Sequence, residues 1–350
     1  MRRRQGNGPH YGIRVDGSPL SNPPPFFTIV IPVKDVNGYV RETVSHIRGL
    51  KDPDWELIIV PNEDTPSEWN DSRIRLISSG RVGPAAKRDM AAKIAQGEIL
   101  VFLDDDSFPR EDLLTAARPF FSDTAVAAVG GPAITPPEDG FWQRVSGAMF
   151  LSRFSGGSPE RYFPVGVVRE VHDWPSVNLM IRKSDFLAVG GFDSPFWPGE
   201  DTKLCLEIVK TGKKILYVPQ AVVWHHRRPG FFAHLRQVGA YGLHRGFFAK
   251  RFPETSLKLA YFAPSAMVLF ILVSVAGMVL GIPVTLKDLL LAGWALYGAA
   301  LFVAFVQIVR FTGVWVACCA VPFTVGTHVV YGLQFLRGLV LERNLVSRLR

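Results

Sequence analysis

Cysteine is scarce in this 350-residue chain: Cys205, Cys318 and Cys319 are the three it has. An odd number without metal-type spacing offers no disulfide framework. Cys318 and Cys319 sit side by side in an apolar run, where they read as small packing residues, and a reducing compartment is the default for the soluble part. Charge is scarce as well. Asp, Glu, Lys and Arg make up 20% of the residues and mean hydropathy is +0.16, so part of the chain does not seek water. The basic start MRRRQGNGPHYG is not followed by an apolar core and does not read as a secretory signal. Residues 1–25, rich in Gly, Pro and Arg, are expected to be poorly ordered. A net charge of +8 suits anionic partners, but no recognition-helix, zinc-finger or single-strand-binding pattern accompanies it. No nucleic acid is therefore expected. Phosphorylated small molecules and anionic lipid headgroups are.

What is present divides at about Lys258. Before it, apolar strand-like runs alternate with helix-like ones. FFTIVIPV from Phe26, WELIIV (55–60), RIRLIS (73–78), EILVFLDDD (98–106) and AVAAVGGP (125–132) read as strands. Helical stretches are expected from about Tyr39 to Leu50 and in PAAKRDMAAKIAQ (84–96). That alternation predicts an α/β domain with a mostly parallel sheet, whose ligands bind beyond the carboxyl ends of the strands. The segment from Phe141 to Pro175 is irregular, with helix expected over about 141–154, and reads as a lid or binding loop. A helix opened by acids (199–212) and a strand ending in two histidines (214–226) complete the domain, which spans 26–230.

Residues 231–258 are basic and aromatic at helical spacing, which suits a membrane-interface helix. Three apolar stretches follow, at about 259–281, 286–309 and 313–336, each near the roughly 20 residues that a bilayer crossing needs. A multi-pass protein of the cell membrane with its α/β domain in the cytoplasm is expected. Charge gives a conflict over topology. Lys250, Arg251 and Lys258 precede the apolar region, while Arg337, Arg343, Arg348 and Arg350 follow it, and both groups favour the cytoplasm. Three full crossings would separate them.

Four features carry chemistry. Asp104, Asp105 and Asp106 follow a buried strand, and three adjacent carboxylates repel one another unless a cation sits among them. Mg2+ or Mn2+ bridging to a diphosphate is the functional reading; a solvated acidic turn is the bland one. Glu200 and Asp201 open a helix, where an acid serves as a general base or merely caps the helix. His225 and His226 close a strand, with a metal site or plain surface exposure as the two readings. Arg88, within Lys87-Arg88-Asp89, clamps a phosphate or simply lies on a solvated helix face.

In order and spacing these pieces resemble family 2 of the inverting glycosyltransferases, with a GT-A fold. The resemblance covers roughly residues 26–230 and is carried by IPVKD, ELIIVPNEDT, GPAAKRDMAAKIAQGEILVFLDDDSFP, NLMIRKSDFLAVGGFD and PGEDTKLCLEIVKTGKKILYVPQAVVWHH. It implies a GT-A nucleotide-sugar-binding domain, followed here by a helical transmembrane region. It places Pro32, Asp35, Asn62, Arg88, Asp104 and Asp105 at the nucleotide-sugar, Asp104, Asp106 and His225 at the metal, and Asp201 as the general base. It implies a nucleotide-sugar donor, a UDP-sugar favoured, and a lipid-linked or glycan acceptor among membrane lipids. Pro61-Asn62-Glu63 stands where the family has acids and a glycine, and Asp89 replaces the usual asparagine. No QxxRW motif follows, which argues against a processive polymerase. A polyprenyl-phosphate sugar synthase and a non-catalytic membrane scaffold are the alternatives.

Overall fold

A computed structural model describes residues 25–281 and 283–345. The segment expected to be poorly ordered, 1–25, lies outside the described residues except for its last, and so do Arg348 and Arg350 of the basic tail. In chain order the elements are β1 (Phe27–Pro32), α1 (Gly38–Arg48), β2 (Trp55–Val60), β3 (Ile74–Leu76), α2 (Pro84–Ile94), β4 (Ile99–Phe102) and β5 (Ser107–Pro109). They continue with α3 (Leu113–Ala117), β6 (Val126–Gly130), β7 (Ala133–Ile134), α4 (Phe141–Ala148), β8 (Arg169–Val171), β9 (Leu179–Arg182), α5 (Lys183–Ala188) and α6 (Glu200–Lys210). Then come β10 (Lys214–Tyr217), β11 (Val223–His225), α7 (Phe231–Arg251), α8 (Pro253–Ser256), α9 (Leu259–Leu280), α10 (Val284–Val309) and α11 (Val314–Leu336).

Every residue of β1 and β2 is buried, as expected of strands covered on both faces. β1 pairs in parallel with both β2 and β4, and β2 in parallel with β3. The main sheet runs β3-β2-β1-β4-β9-β6-β10-β8, with β9 antiparallel to both its neighbours. Asn37 caps α1 by accepting from the Val40 amide at 3.0 Å, and Pro84 opens α2 at a position where no amide is needed. A small second sheet, β5-β11-β7, stands beside the carboxyl end of β4.

Two expectations from sequence are corrected here. The strand expected over 98–106 ends at Phe102, because the Ser107 hydroxyl folds the next residues into a turn: it accepts from the Asp104 amide at 3.0 Å. The strand expected over 214–226 is two strands in different sheets, broken around Pro219, which has no amide to offer a ladder. The sheets part where Gly131 meets Ala221 so closely that a Cβ on Gly131 would lie 1.7 Å from the Ala221 carbonyl oxygen. Fully buried Asn178 bridges this junction, its Nδ2 donating to the carbonyls of Pro132 at 3.1 Å and Ala221 at 2.8 Å.

The last three long helices are apolar and long enough to cross a membrane: Leu259–Leu280, Leu286–Val309 and a helical run through Leu341 that includes α11. They are not equivalent. α9 leaves the α/β domain and α10 returns to it, since Ser152 Oγ donates to Gln307 at 2.7 Å and the Phe163 ring lies 4.7 Å from that of Phe311. α11 then lies against α4 and α7. The Trp142 ring stacks 6.3 Å from Phe323, and a Cβ on Gly246 would lie 2.0 Å from the Phe335 carbonyl oxygen. Beyond α11, Lys250 Nζ donates to the Glu342 carbonyl at 2.5 Å. Both ends of α11 therefore touch the α/β domain or α7.

Replacing Asn178 by Ala strips the Ala221 carbonyl of its donor and leaves the Pro132 carbonyl only the Val223 amide. The expected loss is about 2–3 kcal/mol, read as a fall of several degrees in the apparent unfolding midpoint of the detergent-solubilised protein. An unchanged midpoint would contradict the bridging role.

Candidate active site at the sheet's carboxyl edge

The turn after β4 brings three acids to the edge of the sheet in three different settings. Asp106 is buried, Asp104 is about one-third exposed, and Asp105 is half-buried. Antiparallel pairing of β5 with β11 sets Ser107 opposite His225, so the imidazole falls beside the acids. Its Nε2 is 3.2 Å from Asp106 Oδ1. The ligand atoms of Asp104, Asp106 and His225 all lie within 4.8 Å of one another. Arg228 reaches Asp106 Oδ2 at 3.1 Å. Burial alone would raise the Asp106 pKa, but His225, Arg228 and Arg227 together hold it well below the usual carboxylate range. Asp105 goes the other way: burial and the charges of Asp106 and Asp104 push it up to about 6.

The chemistry of this donor set decides what it holds. Two carboxylates with oxygens a few ångströms apart fit a hard divalent cation such as Mg2+ or Mn2+. His225 fits less readily. A guanidinium can only donate, so the 2.8 Å contact from Arg227 Nη1 makes His225 Nδ1 the acceptor and leaves the proton on Nε2. A cation at Nε2 requires Arg227 to release that ring nitrogen. His226, its sequence neighbour, points elsewhere as strand alternation dictates: Nδ1 meets Asp139 at 2.5 Å and Nε2 meets Glu42 at 3.0 Å.

Arg88 ties this edge to α6. It is almost wholly buried, with Nη2 at 2.5 Å from Asp104 and Nη1 at 3.1 Å from Glu200. Its Nε–H meets no acceptor among the described residues, a donor to spare in a site built around anions. Burial and the neighbouring Asp201 raise the Glu200 pKa to about 8, against the pull of Arg88. Asp201 is raised as well, by burial and by Asp173. Its carboxylate accepts from the Thr202 amide at 2.7 Å and the Ser176 amide at 3.3 Å, and it lines a cavity of about 820 Å³ that reaches the C-terminal helices. Asp173 stays ionised behind it: burial works against the charge, but Arg245 at 2.7 Å and Arg161 at 3.3 Å hold its pKa down.

The remaining expected residues separate. Pro32 is buried at the end of β1, and Asp35 lies exposed beside Lys34 at 3.9 Å. Asn62 Oδ1 accepts from Lys87 Nζ at 2.6 Å, and the same ammonium meets the carbonyls of Val33 at 2.5 Å and Val60 at 3.2 Å. Lys87 gathers the ends of β1 and β2, yet the sequence singled out its neighbour instead. The available signal was a helix whose small residues are mostly alanine, which lets long basic side chains lie on its packed face. Burial lowers the Lys87 pKa, with Asp35 and Asp105 opposing. Asp89 stays out of the site: it accepts from the amides of Phe192 at 2.8 Å and Asp193 at 3.1 Å, fixing the turn before α6.

Residues 28–186 match the family model described as Glycosyl transferase family 2. A pre-mycofactocin glycosyltransferase of Mycobacterium tuberculosis is 28% identical over 251 residues, covering 71% of this chain and 52% of the relative. The chain thus spans about half the length of that relative. The Methanococcus voltae dolichyl N-acetyl-alpha-D-glucosaminyl phosphate 3-beta-D-2,3-diacetamido-2,3-dideoxy-beta-D-glucuronosyltransferase is 22% identical, with 65% of this chain and 74% of the relative covered. Among solved structures, a mannosyltransferase from Pyrobaculum calidifontis in complex with GDP-Man and Mn2+ superposes with a TM-score of 0.57. It is 17% identical, and the match covers 90% of this chain and 87% of that one.

The acid pair makes a direct prediction. Titration of the purified protein with Mn2+, followed by the loss of the free-ion magnetic resonance signal, should show binding that weakens at least about tenfold in Asp104→Asn or Asp106→Asn. The substitution Glu207→Gln, at a half-buried acid paired with Lys210 on α6, should leave it unchanged. Equal binding by all three variants would exclude these acids as ligands.

Proposed function

Residues 28–186 form a glycosyl transferase family 2 domain of GT-A type, and from that premise we propose that the chain is a membrane-bound glycosyltransferase. It moves a sugar from a nucleotide-sugar donor, a UDP-sugar favoured, to a hydroxyl of a lipid-linked or glycan acceptor in envelope polysaccharide or glycoconjugate synthesis. One observation carries the reading: a single buried guanidinium, Arg88, joins the acid pair to the helix end that bears Asp201. The name of the M. voltae relative specifies a dolichyl-linked substrate, which supports a lipid-linked acceptor.

In this mechanism Asp201 removes the proton of the acceptor hydroxyl. Its raised pKa makes it a better base than a solvated aspartate. The acceptor oxygen bonds to the anomeric carbon as the bond to the nucleoside diphosphate breaks, inverting the configuration. Arg88, with its unpaired Nε–H, and Lys87 lie where charge develops on the departing diphosphate. A divalent cation at Asp104 and Asp106 would add electrostatic stabilisation of that same charge.

The membrane reading follows from the helix ends. We infer that α9 and α10 cross as a hairpin while α11 lies along the interface. Lys250, Arg251 and Lys258, Arg310 after α10, and Arg337 and Arg343 after α11 then share the cytoplasmic side with the catalytic domain. The conflict between the basic groups disappears.

Two measurements test these readings. Asp201→Asn should lower kcat by roughly 10²–10⁴-fold while donor binding persists. Glu200→Gln, which keeps a side-chain oxygen to accept from Arg88 Nη1, should retain most activity. An active Asp201→Asn enzyme would favour a polyprenyl-phosphate sugar synthase, whose phosphate acceptor needs no base. Absence of any nucleotide-sugar turnover in the wild type would favour a non-catalytic scaffold. Separately, fluorescent-protein and alkaline-phosphatase fusions at the C-terminus should report the cytoplasmic side. A phosphatase-positive result would mean that α11 crosses.

A further inference from the structure

The cavity beside Asp201 changes character from one end to the other. Its inner end holds Asp201 and Thr202. Arg161 and Arg245 belong to this end too, since both bind Asp173, which also accepts from the Thr202 hydroxyl at 3.1 Å. Lys258 stands at the start of α9 and forms no ion pair among the described residues. From there the lining runs along α9 through Ala263 and Met267 to Phe270, roughly 17 Å of helix beyond Leu259. Gly293 and Leu296 of α10 face the same space, and a Cβ on Gly293 would lie 2.6 Å from the Phe270 ring. The indole of Trp294, donating to Ser274 at 3.2 Å, joins the two helices beyond that contact.

Volume and charge specify the occupant. About 820 Å³ is ample for one amphipathic ligand. Arg153, Arg161, Arg245 and Lys258 line the cavity against one lining carboxylate, Asp201. After Asp173 is set against two of these cations, the balance is still positive. An uncharged lipid tail gains nothing from such a lining; a phosphate attached to the tail does. Asp104, Asp106 and His225 are not among the lining residues, so the cavity is separate from the acid pair.

We propose that this cavity binds the lipid of the acceptor, a single-chain polyprenyl phosphate or diphosphate. The chain lies between α9 and α10, the phosphate rests on Arg161, Arg245 and Lys258, and the attached sugar reaches Asp201. The proposal rests on the transferase reading and adds where, and by which chemistry, the acceptor is held.

The test uses the full chain in detergent micelles and a benzophenone-bearing farnesyl phosphate as a photoreactive probe, with cross-linked peptides identified by mass spectrometry. Labelling is expected within 261–270 and 293–297. Decaprenyl phosphate should compete at least tenfold better than decaprenol, dioleoyl-phosphatidylglycerol or inorganic phosphate. Ala263→Phe, which fills the lining, should cut labelling at least tenfold, and Leu296→Trp serves the same purpose should the first variant lose its unfolding transition. Lys258→Gln should reduce the preference for phosphate over alcohol at least threefold. Labelling spread over the outward residues Leu272, Val275 and Val279, and unaffected by either filling variant, would overturn the proposal. Nucleotide-sugar turnover on a soluble acceptor without probe binding would sink the lipid site and leave the transferase reading intact. Specific probe binding without turnover on any acceptor would do the reverse.

Discussion

A buried guanidinium is the constraint on which the site depends. Arg88 sits in the α2 helix almost without solvent, and an uncompensated charge there would cost several kcal/mol. It is compensated by Asp104 from the turn after β4 and by Glu200 from the start of α6. Asp104 is a near neighbour in sequence, but Glu200 lies 112 residues from Arg88, and the shared cation ties α6 to the turn after β4. The acids gain as well, because carboxylates crowded at a sheet edge need positive charge nearby even before a ligand arrives. Arg228 and Lys87 extend that compensation to Asp106 and to the strand-end carbonyls.

The same crowding divides labour among similar groups. Asp106, faced by His225, Arg227 and Arg228, stays ionised. Asp105, which faces its two neighbours with Asn37 as a weak donor, is pushed towards the neutral form. Glu200 and Asp201 are adjacent, yet one is turned to Arg88 and the other to the cavity. Helix geometry gives consecutive residues different directions, so an acid pair at a helix start serves two sites at once.

Much of this was legible in the sequence, for reasons that can be named. β1 and β2 are doubly covered strands, and only unbroken apolar runs such as TIVI and LIIV satisfy that. The acids at 104–106 stood out because such clusters are costly without a partner. Lys87 did not stand out, because a lysine in an alanine-rich helix looks solvated until the carbonyls it gathers are seen. The break at Pro219 was hidden by apolar residues on both sides of it. The difference between α11 and its two neighbours was illegible for another reason. Hydropathy reports that a helix avoids water, not whether lipid or protein covers it, and α11 packs against α4, α7 and α9 more than its two neighbours pack against protein.

That cover ties membrane to chemistry. α7 packs along α11 closely enough that Gly246 can carry no side chain, so the two backbones meet directly there. Arg245, on the same helix, clasps Asp173, and Asp173 accepts from Thr202, the residue after Asp201. A displacement of the interface helices therefore reaches Asp201 through two polar contacts rather than through loose packing. Arg161 secures the other side of Asp173 from the loop before β8, so the loop and α7 share one buried carboxylate. On the proposed reading the base is positioned by the same helices that meet the lipid, and a headgroup entering among Arg161, Arg245 and Lys258 would compete with Asp173 for its cations. Acceptor binding and the setting of Asp201 are then parts of a single electrostatic balance, with the carboxylate of Asp173 at its centre.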